Sequence, residues 1–383
     1  MKSSETEMKY KMKYKIIALL IISLLIFVSS CNKGKIYNDI LIKTREVEFR
    51  RDKNVKEFVI VKFLTIDSTN LIVHLDIDVN KLYYYSLNSG ELVKELKIPY
   101  RRKISDFWLN NMSSIYFIPQ YSSQILKYDN DNTIDTIIFF TPNDLLKFDL
   151  GHLFEFLPTV LSQLYIKDST YYVTNTFPEQ GFLEEHRPFL IIDKNKINTK
   201  IGRFPKEIII KGKTFFPFNL FPSFTINEKK NQITIVYNTD NNLYVYNDTV
   251  LIKKISCKSA FVTNLPKPIN QLKNDEFNSE KINLRGLEFD FYAGIYYDNY
   301  NNLYYRTVKL KNNSMNDLED YNFSIMILDE NFNIIGEQLF NAKDYDFTSL
   351  LVTKEGVLLR KIDDLSGISR YTTFRLNSKY IKQ

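Results

Sequence analysis

A unit that recurs six times constrains this chain more than any other feature. Residues 69–98 (TNLIVHLDIDVNKLYYYSLNSGELVKELKI) and residues 230–255 (KNQITIVYNTDNNLYVYNDTVLIKKI) align by eye, and each reads as three strands separated by turns. Residues 113–139 repeat the rhythm, and three further copies fall at 169–204, 302–340 and 356–377. The third strand of each unit ends in an apolar residue followed by Asp or Asn: Leu87-Asn88, Tyr128-Asp129, Ile192-Asp193, Tyr246-Asn247, Leu328-Asp329 and Leu376-Asn377. A hairpin reversal needs a residue there that tolerates turn geometry. One more apolar stretch precedes each unit, at 58–66, 104–109, 161–167, 223–227, 291–297 and 349–353. Four antiparallel strands per repeat, recurring along one chain, are the signature of a propeller blade. The expected fold is therefore all-β: a six-bladed β-propeller of four-stranded antiparallel blades. Five or seven blades, or a pair of β-sandwiches with similarly spaced turns, are the alternatives; six recurrences of one unit favour the six-bladed ring.

The composition agrees. Tyr (26) and Phe (29) are abundant and suit pleated strands, while Gly and Pro number only 11 each. The sixth unit lacks an outer strand, because only residues 378–383 follow it. Near the other end, residues 44–51 (TREVEFRR) alternate apolar and charged side chains with no blade of their own. They are expected to supply the missing strand and so close the ring without leaving an open edge.

The first thirty residues belong to a different problem. Lys9, Lys11, Lys13 and Lys15 precede a thirteen-residue apolar core at 16–28, interrupted only by Ser23. A bilayer of about 30 Å needs roughly 20 apolar residues, so this core is too short to span and has the length of a signal peptide. It ends in Val28-Ser29-Ser30-Cys31, which resembles a bacterial lipobox. Cys31 would carry the lipid and anchor the chain to a membrane, and Asn32 after it points to the outer membrane. The expected division is residues 1–30 signal peptide, 31–43 lipidated cysteine and tether, and 44–383 one propeller domain. Of the formal charge of +6, the leader accounts for +3. The remainder, about +3, gives no argument for nucleic acid. Cys257 is the one other cysteine, in an apolar-alternating stretch, and reads as a buried structural thiol.

Within a blade, number the strands from the ring centre outward. The loops joining second to third strands, and outermost strands to the next blade, then share one face. The long insertions, at 141–160, 175–188, 205–222, 258–290 and 311–322, all fall on that face, so a site is expected there. Its candidate binding residues are Arg101, Arg102, Arg187, Arg285, Phe216 and Phe218. The arginines suit carboxylates or phosphates. The aromatic run around Phe216 and Phe218 either plugs the axial channel or stacks a ligand, and packing is the commoner use of phenylalanine. Glu184, Glu185 and His186 are the candidate acid–base group if the chain is an enzyme. No metal site is expected: one His lacks partners at ligand spacing, and His74, Asp76 and Asp78 read as a polar strand face beside a turn. No cofactor motif is present.

The lipobox cysteine, the blade rhythm and YYDNYNNLYYR (residues 296–306) together resemble the six-bladed β-propeller lipoproteins of Bacteroidota, a family of unknown function with TolB-like propeller architecture. The resemblance implies an outer-membrane or periplasmic lipoprotein acting as a binding or assembly module, and a protein, peptide or glycan bound on the long-loop face is the expected ligand. It assigns no catalytic residue, and fold does not give function. An envelope hydrolase or lyase using the acid–base group above is the alternative.

Overall fold

A computed structural model of the chain describes residues 36–383 except 51–59, 67, 130, 142–143, 145–155, 157, 176–187, 194–195, 202–203, 205, 207–212, 215–221, 268, 271–287, 315–319, 363–366 and 381–383. Six four-stranded antiparallel sheets form a β-propeller. Blade 1 is β2 (Ile60–Ile66), β3 (Thr69–Asp76), β4 (Lys81–Ser86) and β5 (Leu92–Lys97). Blade 2 is β6 (Ile104–Leu109), β7 (Ile115–Pro119), β8 (Gln124–Tyr128) and β9 (Ile134–Phe139). Blade 3 is β10 (Tyr165–Lys167), β11 (Thr170–Thr174), β12 (Phe189–Asp193) and β13 (Lys196–Ile201). Blade 4 is β15 (Pro222–Asn227), β16 (Gln232–Tyr237), β17 (Asn242–Asn247) and β18 (Val250–Ser256). Blade 5 is β20 (Phe291–Asp298), β21 (Leu303–Lys309), β22 (Asn322–Leu328) and β23 (Ile334–Asn341). Blade 6 is β24 (Tyr345–Thr353), β25 (Gly356–Lys361) and β26 (Ile368–Leu376), completed by β1 (Leu41–Arg50) from the other terminus. A small sheet of β14 (Lys213–Thr214) and β19 (Ile269–Asn270) joins two of the long loops to each other.

Burial explains why the strands differ in composition. The middle strands pack against neighbouring blades on both faces, so β21 is buried at every position, its Arg306 and Lys309 included. The outermost strand β18 is exposed at six of seven positions and carries lysines, which blunts a sheet edge. Every third-to-fourth strand pair contains a register shift, including the composite pair of β26 with β1, where it falls between Lys43 and Arg45. A bulge increases local twist, so the repeat fixes blade shape as well as strand order. The turns after the third strands are held as expected of Asp and Asn: Asp329 Oδ1 accepts the backbone N–H of Asn331 and Asn333, both at 2.8 Å.

Ring closure takes in more of the chain than the alternation at 44–51 indicates. β1 begins at Leu41, and its partner opposite Leu41 is Leu376. Before it, Ile36 bridges Glu337 of β23 in parallel fashion, Tyr37 donates its N–H to Glu337 O (3.0 Å), and Ile40 is fully buried. Ile40 and Leu41 are buried in the core with Tyr37 packed against it, while Ile36 stays about half exposed, so the chain joins the ring within the stretch expected as tether. The turn of blade 1 meets β1 at Gly90, whose φ is +76°; a Cβ there would lie 2.1 Å from Glu48 O, so glycine is required.

A charged network locks blade 4 to blade 5. Arg306 is fully buried and donates from its guanidinium to Asn241 O (2.8 Å), Cys257 O (2.9 Å) and Asp240 O (2.9 Å), with its plane 3.7 Å from the Tyr292 ring centre. Nearby, the buried Glu337 accepts from Ser259 Oγ (2.6 Å), Ser324 Oγ (2.5 Å) and Ala260 N (2.8 Å). Cys257 is buried between these groups, and burial pushes its thiol up.

Candidate ligand site at the ring axis

The first strands of the blades line the axis; β2 contacts β6 and β24, and β20 contacts β15 and β24. Blade 3 departs from the pattern. Its first strand, expected over 161–167, starts at Tyr165, and the preceding residues cross the axis instead. Thr159 and Ser162 exchange backbone hydrogen bonds (3.2 and 3.0 Å), making a tight loop. Leu161 O accepts from Ser223 Oγ of blade 4. Leu164 N–H donates to the Asp106 carboxylate of blade 2, and Leu164 O accepts from Lys62 Nζ of blade 1 at 3.4 Å. Four blades are thereby tied through one plug.

Lys62 and Asp106 are the buried ion pair that seats it. Nζ lies 3.1 Å from Asp106 Oδ1, and Asp106 also accepts Phe107 N–H at 2.8 Å. Burial pushes the Asp106 carboxyl up and the Lys62 ammonium down, and each charge opposes the shift of the other. All the polar atoms of the pair are spent on each other, on backbone and on the plug, so the arrangement is that of a structural clasp. Lys62 Nζ also stands 5.7 and 5.9 Å from the Phe107 and Trp108 ring centres.

Either side of the plug lies a cavity, and Val160, Gln163 and Leu350 border both. The larger holds about 480 Å³, within the range of small-ligand sites. Its walls are aromatic and aliphatic, including Phe63, Trp108, Tyr165, Phe224, Tyr296 and Val352. Its rim is Glu228, Lys229, Asn299 and Tyr300, which belong to the short turns between first and second strands. The mouth is organised: Tyr165 Oη donates to Glu228, and Lys229 Nζ donates to Asn299 O (2.7 Å) and Asn302 Oδ1 (2.8 Å). Burial, and then the Glu228 carboxylate, push the Tyr165 phenol up, so it stays a neutral donor. Trp108 and Tyr165 meet edge-on at 4.7 Å, and Phe189 backs Phe224 at 4.3 Å.

The smaller cavity, about 100 Å³, lies on the long-loop side, with Val61, Leu351 and Tyr371 in its wall beside the Asp346 and Arg360 side chains. Arg360 Nη2 pairs with Asp346 Oδ2 at 2.8 Å, while Asp346 Oδ1 accepts from Thr348 N–H and Oγ1. Farther along that face, Asp290 gathers the N–H groups of Thr263, Asn264 and Lys311. Lys309 sits 4.7 Å from the Tyr321 ring centre, and burial depresses its ammonium to about 8.

Of the residues expected to form a binding or acid–base site, Arg101 and Arg102 are the ones among those described. Arg101 and Arg102 are exposed in the link between blades 1 and 2 and border neither cavity. Only their backbone neighbourhood is pinned, by Asn80 Nδ2 donating to Tyr100 O and Arg102 O. Glu184, Glu185, His186, Arg187, Arg285, Phe216, Phe218 and Cys31 lie outside the described residues. Phe224, at the end of the phenylalanine-rich run, lines the larger cavity. His74 is fully buried among Phe49, Tyr85 and Tyr371 at the joint of blades 1 and 6, so it is part of the core rather than of a polar strand face. Asp76 caps its own turn through Asp78 N–H, and Asp78 pairs with Lys103. Among the described residues no group of three metal-ligating side chains comes together. The sequence signal for this cavity is weak: the lone Trp108 on β6, Tyr165 on β10, and the neighbouring Tyr296 and Tyr297 on β20.

The architecture defines a six-bladed β-propeller closed by an N-terminal strand. Residues 59–339 match the family model described as a domain of unknown function, DUF4221, and the chain belongs to that family. A DUF4221 member from Bacteroides vulgatus superposes with a TM-score of 0.72 at 16% identity, covering 88% of this chain and 97% of that one. A putative exported protein from Bacteroides fragilis superposes with a TM-score of 0.54 at 10% identity, covering 90% and 98%. No curated protein matches the sequence. At these identities the superpositions establish the fold alone.

Proposed function

We propose that the protein is an exported lipoprotein, anchored in the outer membrane through Cys31, that binds a ring-sized apolar or aromatic group of a peptide or glycan in the aromatic mouth of the propeller axis. The observation that carries the binding site is the roughly 480 Å³ cavity itself, aromatic inside and polar at the rim. Sites of this make-up bury an apolar group on their walls and orient it with a few rim donors. The anchor rests on the apolar core at 16–28 and the lipobox cysteine. Export is supported by the superposition on the putative exported protein from Bacteroides fragilis.

The ligand enters from the short-turn face, opposite the long loops. The loop-bearing face remains available for a partner protein, with the two-stranded sheet of β14 and β19 stiffening it. Catalysis is the weaker reading, because the buried carboxylate and ammonium at the axis are consumed by the plug.

Trp108 is the one tryptophan and lines the cavity, so it reports occupancy directly. Titration with phenyl β-D-glucoside and with tyrosinamide should shift Trp108 emission saturably for at least one probe. The stronger responder distinguishes a glycan from a peptide ligand. A flat emission for both at millimolar concentration would remove the axial mouth as the binding site.

A further inference from the structure

From the way the N-terminal segment docks, we infer that the anchor holds the ring with its short-turn face toward the bilayer, so that the axial cavity opens into the space between ring and membrane. This rests on the reading of Cys31 as the lipidated residue. Three observations fix the direction. First, β1 starts opposite Leu376, the last residue of β26, and third strands end on the short-turn face. Second, Ile36 lies parallel to β23 at Glu337, so the chain arrives from the Ile334 end of that strand, which follows the short turn of blade 5. Third, the arrival point is held rather than loose. Asn377 N–H donates to Ile40 O (2.8 Å), Asp39 accepts from Tyr380 Oη (2.6 Å) and pairs with Lys379, and the Tyr37 and Tyr380 rings are 4.3 Å apart.

Five residue steps separate Cys31 from Ile36. Fully extended they reach about 17 Å, less than the thickness of a small domain, so the anchored edge of the ring stays close to the headgroups. The cavity rim residues Lys229, Asn299 and Tyr300 are on this same face. The long loops then point away from the membrane, toward whatever the compartment holds. A ligand of the axial cavity is met in the gap, and a partner of the long loops is met outside it.

The test uses the full chain in vesicles of phosphatidylethanolamine and phosphatidylglycerol with an acceptor dye on a headgroup lipid. A donor dye is placed by Asn299→Cys on the short-turn face or by Tyr121→Cys, which is 72% exposed on the opposite face. Cys257 is buried and does not compete for label. Energy transfer at position 299 should exceed that at 121 at least twofold; equal transfer, or more at 121, overturns the orientation. Intact mass of the same samples shows whether Cys31 carries diacylglycerol. If it does not, the lipoprotein reading fails and the orientation falls with it; if it does and transfer is equal at the two positions, the orientation alone is wrong.

Discussion

The two ends of the propeller axis differ in size and in the strands that line them: all six first strands wall one cavity, while the other sits among β2, β24, β25 and β26. On the short-turn side the walls are aromatic and the space is about 480 Å³; on the long-loop side an Asp346–Arg360 pair borders about 100 Å³. Residues 159–164 divide them. The difference shows that loop length and cavity position are set separately. Long connections on one face thicken that face, as the Asp290 turn cluster and the β14–β19 pair illustrate, and they bring a plug down into the axis. The opposite end, with turns too short to cover it, is left open. In this ring the larger cavity lies where the loops are short.

The largest expected effect comes from releasing the plug. Asp106→Ala leaves the Lys62 ammonium buried without its partner and frees Leu164 N–H. Breaking one side of a buried pair costs about 3–5 kcal/mol. Thermal unfolding should show that loss, and Lys62→Met with Asp106→Leu together should recover most of it. If the single variant is as stable as wild type, the plug is not held by this pair and the two ends are not kept apart as described.

A second contrast concerns protons on the long-loop side. Lys309 has an ammonium lowered to about 8 by burial, against 10.5 in the unfolded chain. Between those values the unfolded chain binds more protons than the folded one, so stability should rise with pH relative to Lys309→Met, by up to about 3 kcal/mol across the window. Below pH 8 the difference should be constant. Chemical denaturation of both chains at pH 7, 8, 9 and 10 checks it; a gap that does not change with pH contradicts the depressed ammonium.

The smallest effect belongs to Asp346→Asn, which removes a partly exposed ion pair and weakens two hydrogen bonds to Thr348. It should cost about 1–2 kcal/mol and leave probe affinity at the aromatic end unchanged. A large change in affinity would mean that the two cavities communicate.

The ring was legible because the forces that make it repeat. Third strands ending in an apolar residue before Asp or Asn recur six times, and the surplus strand near the amino terminus had one vacancy to fill. The site was not legible, for physical reasons. Its wall residues, such as Phe63, Trp108, Tyr165 and Phe224, come one per first strand and look like ordinary strand aromatics until the ring closes. Residues 161–164 run directly into the strand residues Tyr165–Lys167 and look like their continuation; the Asp106 carboxylate, 58 residues away, takes the Leu164 N–H instead. His74 next to Asp76 and Asp78 looks polar in sequence, yet its neighbours in space are rings contributed by β1, β4 and β26. Long-range packing decided each of these.

The most direct test is a paired affinity measurement at the two ends of the axis. Val352→Tyr fills the aromatic mouth from β24, and Val352 does not line the smaller cavity that the Asp346–Arg360 pair borders. Using Trp108 emission with whichever probe binds wild type, Val352→Tyr should lose at least about tenfold in affinity, or about 1.4 kcal/mol, while Asp346→Asn binds as wild type does. The opposite pattern, with Val352→Tyr unaffected and Asp346→Asn impaired, would place the ligand on the long-loop side and contradict the account.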